Sequence, residues 1–123
     1  MKLVHIVKLV DGEIFTGWSL LDIDIKGAFA ADLMSDVLTS TQPDGVLLTG
    51  LCNPQVVRTA QCADVLAIIL VRGKRPDQEL VQLASENEIP LISSPLGMFE
   101  AAGRLFQAGL PSLEVNVTRL LDG

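Results

Sequence analysis

Few side chains in this sequence have the chemistry and the spacing of a catalytic or metal site. Cys52 and Cys62 are the only cysteines and His5 is the only histidine, whereas structural zinc sites and iron–sulfur clusters each take four ligands. Asp32 and Asp36 are spaced to share one helix face, where we interpret them as a solvated polar surface. We therefore predict no catalytic residue, no metal site and no cofactor.

Cys52 is the one candidate nucleophile. It precedes a predicted helix, whose dipole would lower the pKa of the thiol, but no histidine is near it in the sequence to act as a base. We interpret Cys52 and Cys62 as reduced, partly buried thiols, and His5 as a surface or capping residue. An enzyme that uses Cys52 or Asp32 is kept as an alternative.

Binding of an anion has more support, because three predicted loops carry groups that attract negative charge. Glycines allow a ligand to approach the backbone closely, a helix start offers N–H groups, and three basic residues lie within four positions. The basic residues could also form a solvated loop tip or pair with acidic residues of a partner chain. The candidate ligand-binding residues are Thr49, Gly50, Cys52, Asn53, Arg72, Gly73, Lys74, Arg75, Ser93 and Ser94.

The elements that must position these loops are alternating buried strands and helices. Aliphatic runs predict strands over 46–49, 66–71 and 89–93. Helices are predicted to begin at Asn53-Pro54, at Asp77 and at Ser94-Pro95, the last one ending near Gln107. Such βαβ units build a parallel sheet, and ligands bind at the carboxyl edge of its strands. We predict an α/β fold of three layers with an open, mainly parallel sheet, and we expect the three loops to meet at that edge.

The first 45 residues have weaker patterns. Residues 2–10 fit either a helix or a strand, 13–16 a short strand, and 32–38 a short helix with one apolar face. Alternation of apolar and polar residues over 20–26 predicts a half-buried strand. In the turn over 42–45, Pro43 presets one dihedral angle and Gly45 is expected to supply a positive φ.

Composition limits location and partners. The chain is 49% hydrophobic and has a net charge of −6, a balance that argues against nucleic-acid binding. Its longest apolar runs are far shorter than the ~20 residues of a membrane-spanning helix. The N-terminus lacks the pattern of a signal peptide. We expect a cytoplasmic protein that associates with neither nucleic acid nor membrane.

The length of 123 residues suits one domain, which we assign to residues 1–111. The tail, residues 112–123, alternates apolar and polar side chains and is expected to form an edge strand or a dimer contact. On the last predicted helix, four large apolar residues are interpreted as core or dimer interface: Met98, Phe99, Leu105 and Phe106.

Three stretches resemble a known family. They are 30–37 (AADLMSDV), 70–77 (LVRGKRPD) and Ile89-Pro90-Leu91 followed by 98–105 (MFEAAGRL). In their order and spacing they resemble the DRTGG domains, above all the short stand-alone ones, over about residues 1–110. Where the Asp-Arg pair of the family would fall, this chain has Leu51-Cys52, and it has Val71-Arg72-Gly73 in place of Thr-Gly-Gly.

The resemblance implies a fold similar to the N-terminal domain of HPr kinase/phosphorylase. DRTGG domains are non-catalytic, tend to self-associate, and occur beside CBS domains in pyrophosphatases. Stand-alone relatives are often encoded near iron–sulfur hydrogenase subunits. The resulting hypothesis is a homodimeric regulatory or accessory module, linked to redox metabolism, that recognises a partner protein or a small anionic or nucleotide ligand. The alternative is an obligate structural subunit of a larger enzyme complex.

Overall fold

The computed structural model describes residues 1–115, so the predictions for 116–123 lie outside the described residues. Its five strands form one sheet in the order β1-β5-β4-β3-β2. The strands are β1 (Glu13–Thr16), β2 (Ala28–Ala30), β3 (Val46–Thr49), β4 (Ala67–Leu70) and β5 (Leu91–Ser93). The pairs β2–β3, β3–β4 and β4–β5 are parallel, whereas β1 runs antiparallel to β5.

Helices cover both faces of the sheet. They are α1 (Leu3–Leu9), α2 (Met34–Ser40), α3 (Pro54–Cys62), α4 (Gln78–Glu86) and α5 (Met98–Gln107). Helices α1 and α5 pack on one face, and α2, α3 and α4 pack on the other. This arrangement confirms the predicted three-layer α/β fold with a mainly parallel sheet.

The central strands β3 and β4 are buried along their whole length, because both of their faces are covered. Successive side chains alternate between the layers. Leu48 and Ile69 face α1 and α5, while Leu47 and Ile68 face the other three helices. The buried sheet therefore holds the loops at its carboxyl edge in fixed positions.

The predicted strand over 20–26 is wrong. A short 3₁₀ helix, Trp18–Leu20, precedes an irregular segment, and carbonyl groups of that segment accept hydrogen bonds from the start of α1. Leu3 N donates to Ile23 O at 3.0 Å and Val4 N to Leu21 O at 2.9 Å. Because the first N–H groups of a helix need acceptors, this segment caps α1. Of the two structures that fitted residues 2–10, the chain thus forms the helix.

Other differences lie in the same half of the chain. Strand β2 was not predicted from the sequence, and the positive φ of the 42–45 turn belongs to Asp44, at 70°, and not to Gly45. A side chain on Gly45 would collide with the Cδ1 atom of Leu113. The described part of the tail makes isolated pairings, Ser112 with Ala28 and Glu114 with Thr41.

Within residues 1–115, no helix is both long and apolar enough to cross a membrane.

Candidate functional site

The loops after β4 and β5 are joined by hydrogen bonds at the carboxyl edge of the sheet. Gly73 N donates to Ser94 O at 2.8 Å, and the hydroxyl of Ser93 donates to Lys74 O at 2.6 Å. Both Ser93 and Ser94 are buried. The two loops therefore form a single surface.

The loop after β3 joins the same surface. Val71 N donates to Thr49 O at 3.0 Å, and the thiol of Cys52 lies 3.6 Å from Arg75 O. The three loops thus lie together as the topology implied. The surface formed by residues 49–53, 72–75 and 93–94 is called the loop edge.

The backbone after β4 bends sharply through two successive residues in the left-handed region, Arg72 at φ 62° and Gly73 at φ 67°. The side chains of Arg72 and Lys74 are exposed, and neither forms an ion pair with any of residues 1–115. The loop edge therefore presents two positive charges to solvent.

Arg75 is engaged within its own chain. Its guanidinium donates to both carboxylate oxygens of Glu13, at 2.8 and 3.3 Å, and lies 5.1 Å from the ring centroid of Phe15. The hydrogen bond with Glu13, and then its charge, raise the pKa of Arg75. Arg75 therefore ties the loop after β4 to β1, the outer strand of the sheet on that side.

The three hydroxyl groups of the loop edge are also used internally. Ser94 donates to Val10 O at 2.6 Å and accepts from Leu96 N at 3.2 Å. The buried Thr49 hydroxyl accepts from Leu51 N at 3.1 Å. Helix α5 begins at Met98, four residues later than predicted, and Ser94 lies in the turn before it.

Asp32 belongs to this edge, although its sequence position did not indicate it. Its Oδ1 accepts from Gly50 N at 2.7 Å and lies 3.4 Å from the Thr49 hydroxyl. Since α2 begins only at Met34, the prediction that Asp32 and Asp36 share a helix face is wrong. Asp32 meets Gly50 because β2 pairs with β3, and no local pattern in the sequence indicates that contact.

The start of α3 has the predicted cap. Asn53 Oδ1 accepts from Gln55 N at 2.9 Å, and Pro54 is the first helical residue. The N-cap leaves the outer part of this helix end open to solvent, since Asn53 itself is exposed.

The thiol of Cys52 differs from the prediction. Burial, and then the charge of Asp77, raise its pKa, and only Lys74 acts in the opposite direction. The net direction of its pKa is therefore opposite to the lowering expected from the helix dipole. Cys62 is exposed and not partly buried as expected.

The described part of the chain offers no metal site. Within residues 1–115, no group of three or more histidine, cysteine, aspartate or glutamate side chains is arranged to hold an ion. Nor does any buried side-chain nitrogen or oxygen described there lack a hydrogen-bond partner. At the loop edge, the polar side chains that remain free to bind a ligand are therefore the exposed ones.

A second feature, away from the loop edge, is an apolar groove of about 370 Å³ between α5 and β2. One wall is α5, from which Phe99 and Phe106 project with 93% and 71% of their surface exposed. Of the four apolar residues assigned to core or interface, Leu105 is buried and Met98 packs on the core.

Comparison with known proteins identifies similar domains. A family model for the DRTGG domain matches residues 5–108, which confirms the resemblance. A solved structure matches the fold with a TM-score of 0.72 at 18% identity: the CBS and DRTGG domains of the regulatory region of Clostridium perfringens pyrophosphatase, complexed with the activator diadenosine tetraphosphate. The match covers 94% of this chain and 50% of the solved one, so the chain spans half its length. No curated protein matches.

Proposed function

Because the chain belongs to the DRTGG domain family, we propose that it is a non-catalytic regulatory module that recognises a small anionic or nucleotide ligand at the loop edge. One observation carries the proposal: Arg72 and Lys74 are exposed there without an ion-pair partner among residues 1–115. In a chain with a net charge of −6, two such cations at the carboxyl edge of a parallel sheet form a local site for negative charge.

The contacts narrow the set of proposed ligand-binding residues. Thr49, Ser93 and Ser94 use their hydroxyls within the chain, and Asp32 occupies the N–H group of Gly50. These residues hold the loops in place. Arg75 likewise holds Glu13. The N–H group of Gly73 is also donated, to Ser94 O. Direct contact with the ligand is assigned to the remaining exposed side chains, those of Asn53, Arg72 and Lys74, with Cys52 beside them.

The neighbour supports a nucleotide as the ligand class. The regulatory region of the pyrophosphatase, which contains CBS and DRTGG domains, binds diadenosine tetraphosphate. A nucleotide carries phosphates that suit the two cations of the loop edge. For the present chain we propose a ligand with at least one phosphate group.

Self-association and a cytoplasmic location are part of the same proposal. Two exposed phenylalanines on α5 favour an interface, because large exposed apolar patches mark interaction sites. Two free thiols, one of them exposed, suit a reducing compartment. The link to redox metabolism rests on the family resemblance alone, and a test of it would follow identification of the ligand.

A second candidate function, an obligate subunit of a larger enzyme complex, is favoured by the apolar groove itself. A subunit of that kind would aggregate or precipitate when made alone, because its interface would be uncovered. A regulatory homodimer would stay in solution at one defined mass. Light scattering on the isolated full chain separates these outcomes.

The ligand proposal is tested by thermal unfolding of the full chain in the presence of AMP, ADP, ATP, NAD, acetyl phosphate, diadenosine tetraphosphate or inorganic phosphate. A compound that binds only the folded state adds about 2.7 kcal/mol to the free energy of unfolding at a concentration 100 times its Kd, and so raises the melting temperature. We expect at least one phosphate compound to raise it.

The matched variants are Arg72→Ala and Lys74→Ala, which should abolish the shift. The control is Lys26→Ala, which removes the same charge. Lys26 pairs with Asp44 at the surface, at the amino ends of β2 and β3 and away from the loop edge. If no compound shifts the wild-type chain, the ligand proposal fails, and a partner protein becomes the object to isolate.

A further inference from the structure

The outer face of α5 exposes two phenylalanines that lie one above the other. Phe99 and Phe106 are 93% and 71% exposed, and their separation of seven residues is about two helical turns. Large aromatic side chains are seldom left in water in this way. Here two of them line the wall of the same apolar groove.

The helix surface between the two rings is nearly bare. Ala102 and Gly103 lie midway, and a side-chain carbon added to Gly103 would meet no atom within 4 Å. Small residues at a helix surface let another helix approach closely. The two rings therefore lie on either side of a shallow surface on which another helix can pack.

The pattern of this face is the same in both directions along the helix. The order Phe-x-x-Ala-Gly-x-x-Phe over 99–106 is symmetric about the point between Ala102 and Gly103, apart from the single methyl group. A two-fold contact requires a self-complementary surface. An antiparallel second copy of α5 would place Phe99 against Phe106 of the partner subunit at both ends.

Charge does not oppose this pairing. The two charged residues within the segment, Glu100 and Arg104, already bond to each other at 2.7 Å, and Arg104 also bonds to Asp11 at 3.2 Å. No unpaired charge therefore lies on the stripe of Phe99, Ala102, Gly103 and Phe106. A second copy would meet no unpaired charge along this stripe, while Glu114 lines another part of the groove.

The two phenylalanines supply a substantial part of the area of a dimer interface. Phenylalanine buries about 150–250 Å², so the two rings of each copy would remove roughly 500–800 Å² of exposed surface per dimer. Specific interfaces bury about 1,200–2,000 Å². The rest of such an interface would have to come from neighbouring residues, among them those that line the groove on β2 and over 110–114.

We propose that this face of α5 is the self-association surface, and that its occupant is α5 of a second copy packed antiparallel about a two-fold axis between Ala102 and Gly103. The inference rests on the self-association included in the proposed function, and it names the surface and the partner. Its test does not involve the ligand, so the two can fail separately.

The first test is the mass of the full chain by size-exclusion chromatography with light scattering. The expected mass is twice the 13.2 kDa of one chain, and Phe99→Glu or Phe106→Glu should halve it with unchanged circular dichroism. The control is Trp18→Glu, since Trp18 is 66% exposed but follows β1, at the other edge of the sheet. That variant should stay dimeric.

Two results would overturn the proposal. One is a monomer at every concentration, which would leave the groove to residues 116–123 or to a different protein. The other is a dimer that both phenylalanine variants retain. A monomeric Phe99→Glu chain that keeps its ligand-induced thermal shift would show that association and ligand binding are separate properties.

The second test locates the axis by a disulfide bond, in a chain that also carries Cys52→Ser and Cys62→Ser. Gly103→Cys places two thiols about 1.5 Å apart along the helix axes, whereas Gly97→Cys places them about 16 Å apart. Oxidation should give a covalent dimer only for Gly103→Cys. Crosslinking of Gly97→Cys alone would contradict the antiparallel register even if the mass were that of a dimer.

Discussion

The carboxylate of Asp32 holds the loop after β3, and its removal should cost a measurable part of the stability. It accepts from Gly50 N at 2.7 Å and is 3.4 Å from the hydroxyl of Thr49. Hydrogen bonds to charged groups contribute about 1.5–3 kcal/mol. Because Asp32 is exposed, solvent weakens the contribution, and we expect Asp32→Ala to lower the free energy of unfolding by about 1–1.5 kcal/mol.

For a chain of this size, about 1 kcal/mol corresponds to a shift of roughly 3–6 °C in melting temperature. Asp32→Asn keeps an acceptor for Gly50 but loses the charge, so it should cost about half as much. Calorimetry or circular dichroism of the two variants measures both values. The control is Asp22→Ala, the loss of an exposed carboxylate that makes no hydrogen bond to the described residues.

The same substitution affects the proposed ligand. Removing one negative charge from the loop edge should strengthen ATP binding about twofold, since unit charges about 8 Å apart in water interact by ~0.5 kcal/mol. If Asp32→Ala unfolds at the same temperature as Asp22→Ala, the bond to Gly50 does not stabilise the loop. If ATP binding weakens, Asp32 contributes to the ligand contact itself, and its role as a residue that only holds the loop is wrong.

Two further predictions concern the thiols and one backbone position. At pH 8, iodoacetamide should modify Cys62 before Cys52, since Cys62 is exposed and Cys52 is partly buried. Burial and the charge of Asp77 also raise the pKa of Cys52, which slows its alkylation. Asp77→Asn keeps a helix cap and should speed alkylation of Cys52, and an unchanged rate would contradict this cause. Gly17→Ala, at φ 98° and with its new carbon 2.5 Å from the proline before β5, should destabilise the fold by at least about 2 kcal/mol. Its control, Gly97→Ala, has a negative φ and open space around it, so only its role as N-cap of α5 changes, and the loss should stay below about 1 kcal/mol. Equal losses in urea unfolding would refute the steric argument.

The central part of the fold was predictable because its determinants are local. Strands β3, β4 and β5 are short aliphatic runs, and the helices after β3 and β4 begin at caps whose side chains bond within three residues, Asn53 to Gln55 and Asp77 to Leu80. Short connections between such elements imply a parallel sheet and one common loop edge.

The parts that were wrong or unpredicted depend on distant contacts. Residues 20–26 alternate as a strand does, but their carbonyl groups are taken by α1. The three residues of β2, with one phenylalanine between two alanines, are too few to form a pattern. Asp32 and Gly50 are 18 residues apart, so only the pairing of β2 with β3 brings them together. The pKa of Cys52 followed burial, which the sequence does not show.

The orientation of α5 lies between these cases. Its periodicity indicated an apolar helix but left core and interface open for Phe99 and Phe106. The structure places Leu105 inward and both phenylalanines outward, since the core side of the helix is already filled by Ala101 and Leu105.

The most direct test of the proposed function is a titration of the ¹⁵N-labelled full chain with ATP, followed by amide chemical shifts. We predict that the largest changes fall at residues 49–53, 72–75 and 93–94, that Arg72→Ala with Lys74→Ala removes them, and that Lys26→Ala does not. Changes centred on the groove between α5 and β2, or no changes at millimolar ATP and inorganic phosphate alike, would contradict the proposed function.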